Sequence, residues 1–159
     1  MRRIGAVAAP WIIAGAVLLA VLVNLALYGL GRALGASFAF TTPAGPAAVD
    51  PVTLIGFTAV PLTIGLAALA LIGRWWKGAY VVALVVAPVL EVGSILIMTV
   101  PTDLDPISKA TLAACHVALV PVTIVAVKAL RRRRTAGASR QAPDPAARSR
   151  HVAGAPAAR

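Results

Sequence analysis

Two ionisable residues, Glu91 and His116, lie inside long apolar stretches of the sequence and have the chemistry to exchange a proton. Ionisable groups within membrane spans are costly and rare, and they commonly mark ion or proton pathways. An imidazole titrates near neutral pH, so it can accept a proton from a neighbouring acid. Both residues are equally far from the middle of the connection Pro101–Pro106, which predicts the same depth in an antiparallel hairpin. The alternative interpretation is a structural Glu–His hydrogen bond that fixes the packing of two helices.

Further polar residues fall near the same predicted depth. Ser94 lies one helical turn from Glu91 on the same face, and Asn24 and Thr63 lie in two other apolar stretches. The sequence therefore predicts an intramembrane polar centre formed by Glu91, His116, Asn24, Thr63 and Ser94. Cys115 and His116 are neighbours in sequence, so on a helix they point about 100° apart and cannot act as a nucleophile–base pair. We expect no catalytic residue, no metal and no cofactor, and we expect that the protein is not an enzyme.

The elements that carry these residues are four apolar segments. The chain has 159 residues, of which 60% are hydrophobic and only 13% charged, with mean hydropathy +0.89. Average soluble domains are about 25% charged, and a spanning helix needs about 17–25 apolar residues. Segments of this kind cover about residues 10–30, 52–73, 78–100 and 107–130. The sequence predicts an all-α, up-down membrane four-helix bundle within residues 1–132.

The charge distribution predicts an orientation. If the N-terminus is cytoplasmic, all of the 15 lysines and arginines except Arg32 and Lys109 lie on the cytoplasmic side. Basic residues near the ends of spans are retained in the cytoplasm. We therefore expect a multi-pass protein of the cell membrane with both termini in the cytoplasm.

A run of four basic residues, Arg131 to Arg134, directly follows the last span. Such a run attracts anionic lipid headgroups at the cytoplasmic face, and we expect lipid headgroups to bind here. Nucleic acid fits less well, because the following residues contain no aromatic side chain on which a base could stack. Residues 133–159 contain almost no large aliphatic side chain, which predicts a disordered basic tail.

The connection over residues 32–51 is long beside the other two, and its role is left open by the sequence. Its prolines and small residues argue against a separate folded domain, and Phe38 and Phe40 are expected at the membrane interface. Small residues recur every four positions at Ala79–Ala87 and at Ala110–Ala118. This pattern allows close helix packing, so the second stripe predicts a homo-oligomer or a membrane partner.

The turn Arg74–Lys77 (RWWK) and the start of the last span, Lys109–His116 (KATLAACH), carry a resemblance. Over residues 10–132 the chain resembles a family of small four-helix membrane proteins of unknown function from GC-rich Gram-positive bacteria. The resemblance implies a histidine in the last span and implies no catalytic residue. The predicted function is the binding or movement of a small solute or proton at the Glu91/His116 centre. The alternative is a structural or accessory subunit of a membrane complex.

Overall fold

The computed structural model describes residues 9–141, with side chains up to residue 136. The helices are α1 (Ala9–Ala33), α2 (Pro51–Ile72), α3 (Ala79–Ser94, continued by a π-helical segment Ile95–Thr99) and α4 (Pro106–Gln141), and the strands are β1 (Ala39–Thr42) and β2 (Gly45–Ala48). All four helices are long and apolar enough to cross a membrane. The predicted all-α four-helix class is thus confirmed, with one small antiparallel hairpin added between α1 and α2.

The four helices pack unequally against their neighbours in the bundle. Helix α1 packs against α2 on one side and against α4 on the other, and α3 packs against α4. Helices α2 and α3 make few contacts with each other, although they are joined by a short turn. We call the end with the turn 74–77 and Arg131–Arg134 the basic end, and the end with β1 and β2 the hairpin end.

The main apolar core lies toward the basic end. It joins three helices through Leu66, Leu69, Ala79, Tyr80, Ala126, Val127 and Leu130. Helix α2 begins where the Asp50 carboxylate accepts a hydrogen bond from the Thr53 amide at 2.6 Å, with Pro51 at the first helical position. It ends at Gly73, which lies against the buried ring of Tyr80.

Most of the large aliphatic side chains point away from this core. Val85 and Val89 on α3 and Leu18 and Leu22 on α1 are each more than half exposed. A water-soluble bundle buries such residues on one stripe of each helix and keeps the opposite face polar. The outward apolar faces therefore fit a surrounding bilayer.

Among the described residues, Phe38 is the largest side chain that is fully buried, and it closes the hairpin end. Its ring stacks on Tyr28 with the ring centroids 4.4 Å apart, and it approaches the open face of Gly31 beside Thr111. The sequence predicted Phe38 at the membrane interface. The structure places it inside instead, because a left-handed backbone (φ 57°) turns the ring from the loop into the bundle.

A hydrogen-bonded latch holds the hairpin end onto the start of α4. The Asp105 carboxylate accepts bonds from the Ser37 hydroxyl at 2.7 Å and from the Ser108 amide at 2.9 Å. The buried Ser108 hydroxyl donates to the same carboxylate and accepts a bond from the Phe38 amide at 2.9 Å. Asp103 accepts a further bond from the Thr41 amide at 2.9 Å. One carboxylate thus caps α4 and positions the Phe38 loop.

We predict that this latch opens in acid. The hydroxyl and amide of Ser108, followed by the Ser37 hydroxyl, hold the pKa of Asp105 well below its ordinary value of 3.8. A carboxyl whose pKa is lowered by folding contributes stability above its unfolded pKa, and this contribution is lost as the pH falls through the folded pKa. The protection of residues 37–49 against hydrogen exchange, measured relative to the intrinsic rate at each pH, should therefore fall only below about pH 3.8. In Asp105→Asn the exchange should be faster at neutral pH and the acid step reduced; an unchanged acid step would contradict the role of Asp105.

Helix α4 is longer than the sequence predicts. It continues to Gln141, so residues 133–141, which were expected to be disordered, are helical. Alanine and arginine are strong helix formers, and an existing helix extends into them at little cost. The rest of the predicted disordered tail, residues 142–159, lies outside the described residues.

Candidate intramembrane polar site

A polar pair connects α1 and α2 in the middle of the bundle. The Asn24 amide nitrogen donates to the Thr58 hydroxyl at 2.9 Å, and both side chains are buried. The Cys115 thiol on α4 lies 3.9 Å from the Asn24 carbonyl oxygen, which makes it a weak donor to α1. The amide oxygen of Asn24 is buried without a partner among the described residues. Asn24 therefore connects three helices and keeps one acceptor free.

A second polar pair connects α3 and α4. Ser94 Oγ lies 2.8 Å from Nδ1 of His116 and 2.6 Å from the backbone carbonyl oxygen of Glu91. A hydroxyl has one hydrogen to donate, and the Glu91 carbonyl oxygen can only accept. Ser94 therefore donates to Glu91 and accepts from His116 Nδ1. In the neutral imidazole this arrangement leaves the lone pair on Nε2 free to accept a proton.

The carboxylate of Glu91 is held on one side only. Its Oε1 accepts a hydrogen bond from the Thr123 hydroxyl on α4. Its Oε2 is buried and has no hydrogen-bond partner in the part of the chain that the structure describes. Most buried polar atoms in proteins are hydrogen-bonded, so this free oxygen is the feature of the site that most needs an explanation.

The Glu91 side chain pairs with Thr123 and does not bond His116, the partner that the sequence suggested. Thr123 lies seven residues from His116, which is two turns nearer the basic end. The predicted match in depth assumed a hairpin centred between Pro101 and Pro106. Instead α3 ends in a π-helical segment that stops at Thr99, and Lys109 Nζ of α4 donates to the Val100 carbonyl oxygen at 3.2 Å. Ser94 remains as the link between Glu91 and His116.

A model of a family of unknown function, DUF6069, matches residues 5–136 of the chain. The chain belongs to the DUF6069 family. The match covers α1 to α3, the hairpin, the polar site and α4 up to residue 136, just beyond Arg131–Arg134. No curated protein and no solved structure matches the chain.

Thr63, the fifth predicted member of the polar centre in this DUF6069 chain, lies on the exposed side of α2. The buried side of α2 carries Leu54, Thr58, Leu66 and Leu69. Thr58 is five residues before Thr63, so its side chain points about 140° away on the helix. Thr58 therefore supplies the hydroxyl that α2 contributes to the centre.

Two of the polar residues that the structure adds to the candidate site have a signal in the sequence. Thr123 follows His116 by seven residues, the spacing that returns to the same face of a helix after two turns. Thr58 precedes Leu69 by eleven residues, which is three turns. These spacings suggest which residues share a face, but they do not say which face meets another helix.

The four predicted lipid-contacting arginines lie on the last turns of α4. Arg131, Arg132 and Arg133 are exposed, and the guanidinium of Arg134 donates to the Arg74 carbonyl oxygen at 3.2 Å. This bond ties the end of α4 to the turn between α2 and α3. The other three guanidinium groups face outward at the basic end.

Proposed function

We propose that the DUF6069 chain is a multi-pass protein of the cell membrane that binds and releases a proton at Glu91, with His116 as a second acceptor. The observation that carries this proposal is the buried Oε2 of Glu91, which has no partner among the described residues. The basic end then faces the cytoplasm, because lysines and arginines accumulate on that side of membrane proteins.

Burial without a partner makes Oε2 reactive toward a proton. Leaving a charged oxygen unpaired in a dry interior costs several kcal/mol. Thr123 occupies Oε1 and has no second hydroxyl hydrogen with which to reach Oε2. A proton on the carboxyl removes the charge, so the protonated form suits this position.

His116 provides the second position for the proton. Its Nδ1 donates to Ser94, and Ser94 in turn donates to the backbone of Glu91. This arrangement fixes the imidazole next to the turn that carries Glu91 and leaves Nε2 as acceptor. Two proton acceptors about two turns of α4 apart, with Ser94 between them on α3, are the elements of a short relay.

The test is an infrared pH titration of the full-length protein in lipid. We expect a carbonyl band of a protonated carboxyl that titrates in the wild type and is absent in Glu91→Gln. Thr123→Val should keep the band and shift its frequency, because the hydrogen bond to Oε1 is lost. A protein with no titrating band, or with a band that survives Glu91→Gln, would rule out proton binding at Glu91.

The exposed small residues on α4 favour a second candidate, an accessory subunit of a membrane complex. Ala110 and Ala114 are exposed, whereas Ala79 on α3 is buried in the core. Small residues at this spacing let a neighbouring helix approach closely. If this candidate is correct, Ala114→Leu disrupts association in the membrane, and no carboxyl band titrates in the wild type.

A further inference from the structure

An apolar groove of about 400 Å³ runs between α1 and α4 at the basic end. Its lining includes Trp11, Gly15 and Leu19 from α1, and Pro121, Val125 and Ala129 from α4. A Cβ atom built on Gly15 meets nothing within 4 Å, so the space in front of this residue is open. The groove is open because small residues, among them Gly15 on α1 and Ala129 on α4, leave space between the two helices.

The groove extends over most of the hydrocarbon region of one leaflet. Its lining on α1 extends from Trp11 to Leu19, and on α4 from Ala129 back to Pro121. Eight residues of helix rise about 12 Å, and half of a hydrocarbon core is about 15 Å. Trp11 is 73% exposed, and aromatic rings of this kind lie at the level of lipid headgroups.

Two arginines lie just beyond the end of the groove formed by Trp11 and Ala129, which we call its mouth. Arg132 and Arg133 follow Ala129 by three and four residues, so they lie on the same face of α4 one turn farther out. Both are exposed. The acidic residues within residues 9–141 are Asp50, Asp103 and Asp105 toward the hairpin end and Glu91 inside the bundle, so none of them neutralises this mouth.

We infer that the groove binds an anionic glycerophospholipid from the leaflet at the basic end. One acyl chain lies between Trp11 and Leu19, and the phosphate is bound by Arg132 and Arg133. The apolar lining and the length of the groove fit an acyl chain, and the positive charge at its mouth fits an anionic headgroup. A second copy of the chain fits less well, because its own arginines would meet these two.

Native mass spectrometry of the full-length protein, released from vesicles of phosphatidylglycerol or phosphatidylcholine with identical chains, tests this site. The wild type should retain phosphatidylglycerol preferentially. Arg132→Gln/Arg133→Gln should weaken its retention by roughly 30-fold, since each basic residue near an anionic surface contributes about fivefold. Gly15→Leu fills the groove and should reduce retention of both lipids.

The matched controls remove the same number of charges from α4, or fill open space on α1, away from the groove. Lys128→Gln/Arg131→Gln removes two exposed charges of α4 outside the groove lining, and Gly29→Leu fills open space elsewhere on α1. The charge control should retain clearly more phosphatidylglycerol than Arg132→Gln/Arg133→Gln, and Gly29→Leu should retain both lipids like the wild type. Equal losses in the two double charge variants would mean unspecific attraction and would overturn the site. So would unchanged binding in Gly15→Leu, or a dimer in the wild type that Gly15→Leu dissociates.

Discussion

Phe38→Ala should lower the free energy of unfolding by about 3–5 kcal/mol, the range for removing a large aromatic side chain from a packed interior. The ring is fully buried, stacks on Tyr28 and covers Gly31. Alanine keeps a Cβ, so the left-handed backbone at this position is under the same steric constraint in both proteins. The loss therefore reports the ring itself, and equilibrium unfolding in detergent measures it.

Phe40→Ala is the matched control for this prediction. Phe40 is the same residue type on β1 of the same hairpin, but it is only half-buried. We expect a loss of about 1 kcal/mol, because less apolar area leaves water when its ring packs. Equal losses for the two phenylalanines would mean that Phe38 does not anchor the hairpin end.

Gly73→Ala should destabilise the basic end by about 1–3 kcal/mol, as overpacking of a filled core does. A Cβ at Gly73 would lie 2.5 Å from the Cζ and hydroxyl oxygen of Tyr80, and Tyr80 is buried. The backbone at Gly73 has φ −58°, which any residue adopts. The cost therefore arises from the collision alone, and thermal unfolding should detect it.

Gly65→Ala and a compensating double variant separate this collision from other effects. A Cβ at Gly65 on α2 meets nothing within 4 Å, so this substitution should stabilise the helix by about 0.5–1 kcal/mol. Tyr80→Leu removes the colliding ring, and Gly73→Ala should then cost less in its presence. Additive effects of the two substitutions would show that they do not interact.

The four helices could be predicted from the sequence because length and apolar composition alone decide which segments can span a membrane. Which face of each helix packs inside the bundle could not be predicted in the same way. Helix α2 is apolar all round, so the pattern does not distinguish the side that carries Thr58 from the side that carries Thr63. Only the position of α1 beside α2 decides between them.

The hairpin end depends on contacts between distant parts of the sequence. Ser37 and Asp105 are 68 residues apart in the sequence. They can form a hydrogen bond only when α1 and α4 lie side by side. The depth of α3 against α4 likewise depends on the connection through residues 95–105, and in the structure Glu91 lies beside Thr123. The sequence therefore identified Glu91, Ser94, Asn24 and His116 as polar residues within spans, but it did not determine their pairing.

Each hydrogen-bonded polar pair of the bundle lies within one half, either α1 with α2 or α3 with α4. This division bears on the order in which the helices assemble. Asn24 bonds Thr58 within the first pair of helices, and Ser94–His116 and Glu91–Thr123 form within the second. Between the described spans of the two halves, the only hydrogen bond is the weak one from the Cys115 thiol. Each pair of helices can thus form its own hydrogen bonds before the other pair is present. Joining the halves adds mainly the packing of α1 against α4 and the apolar core between α2, α3 and α4.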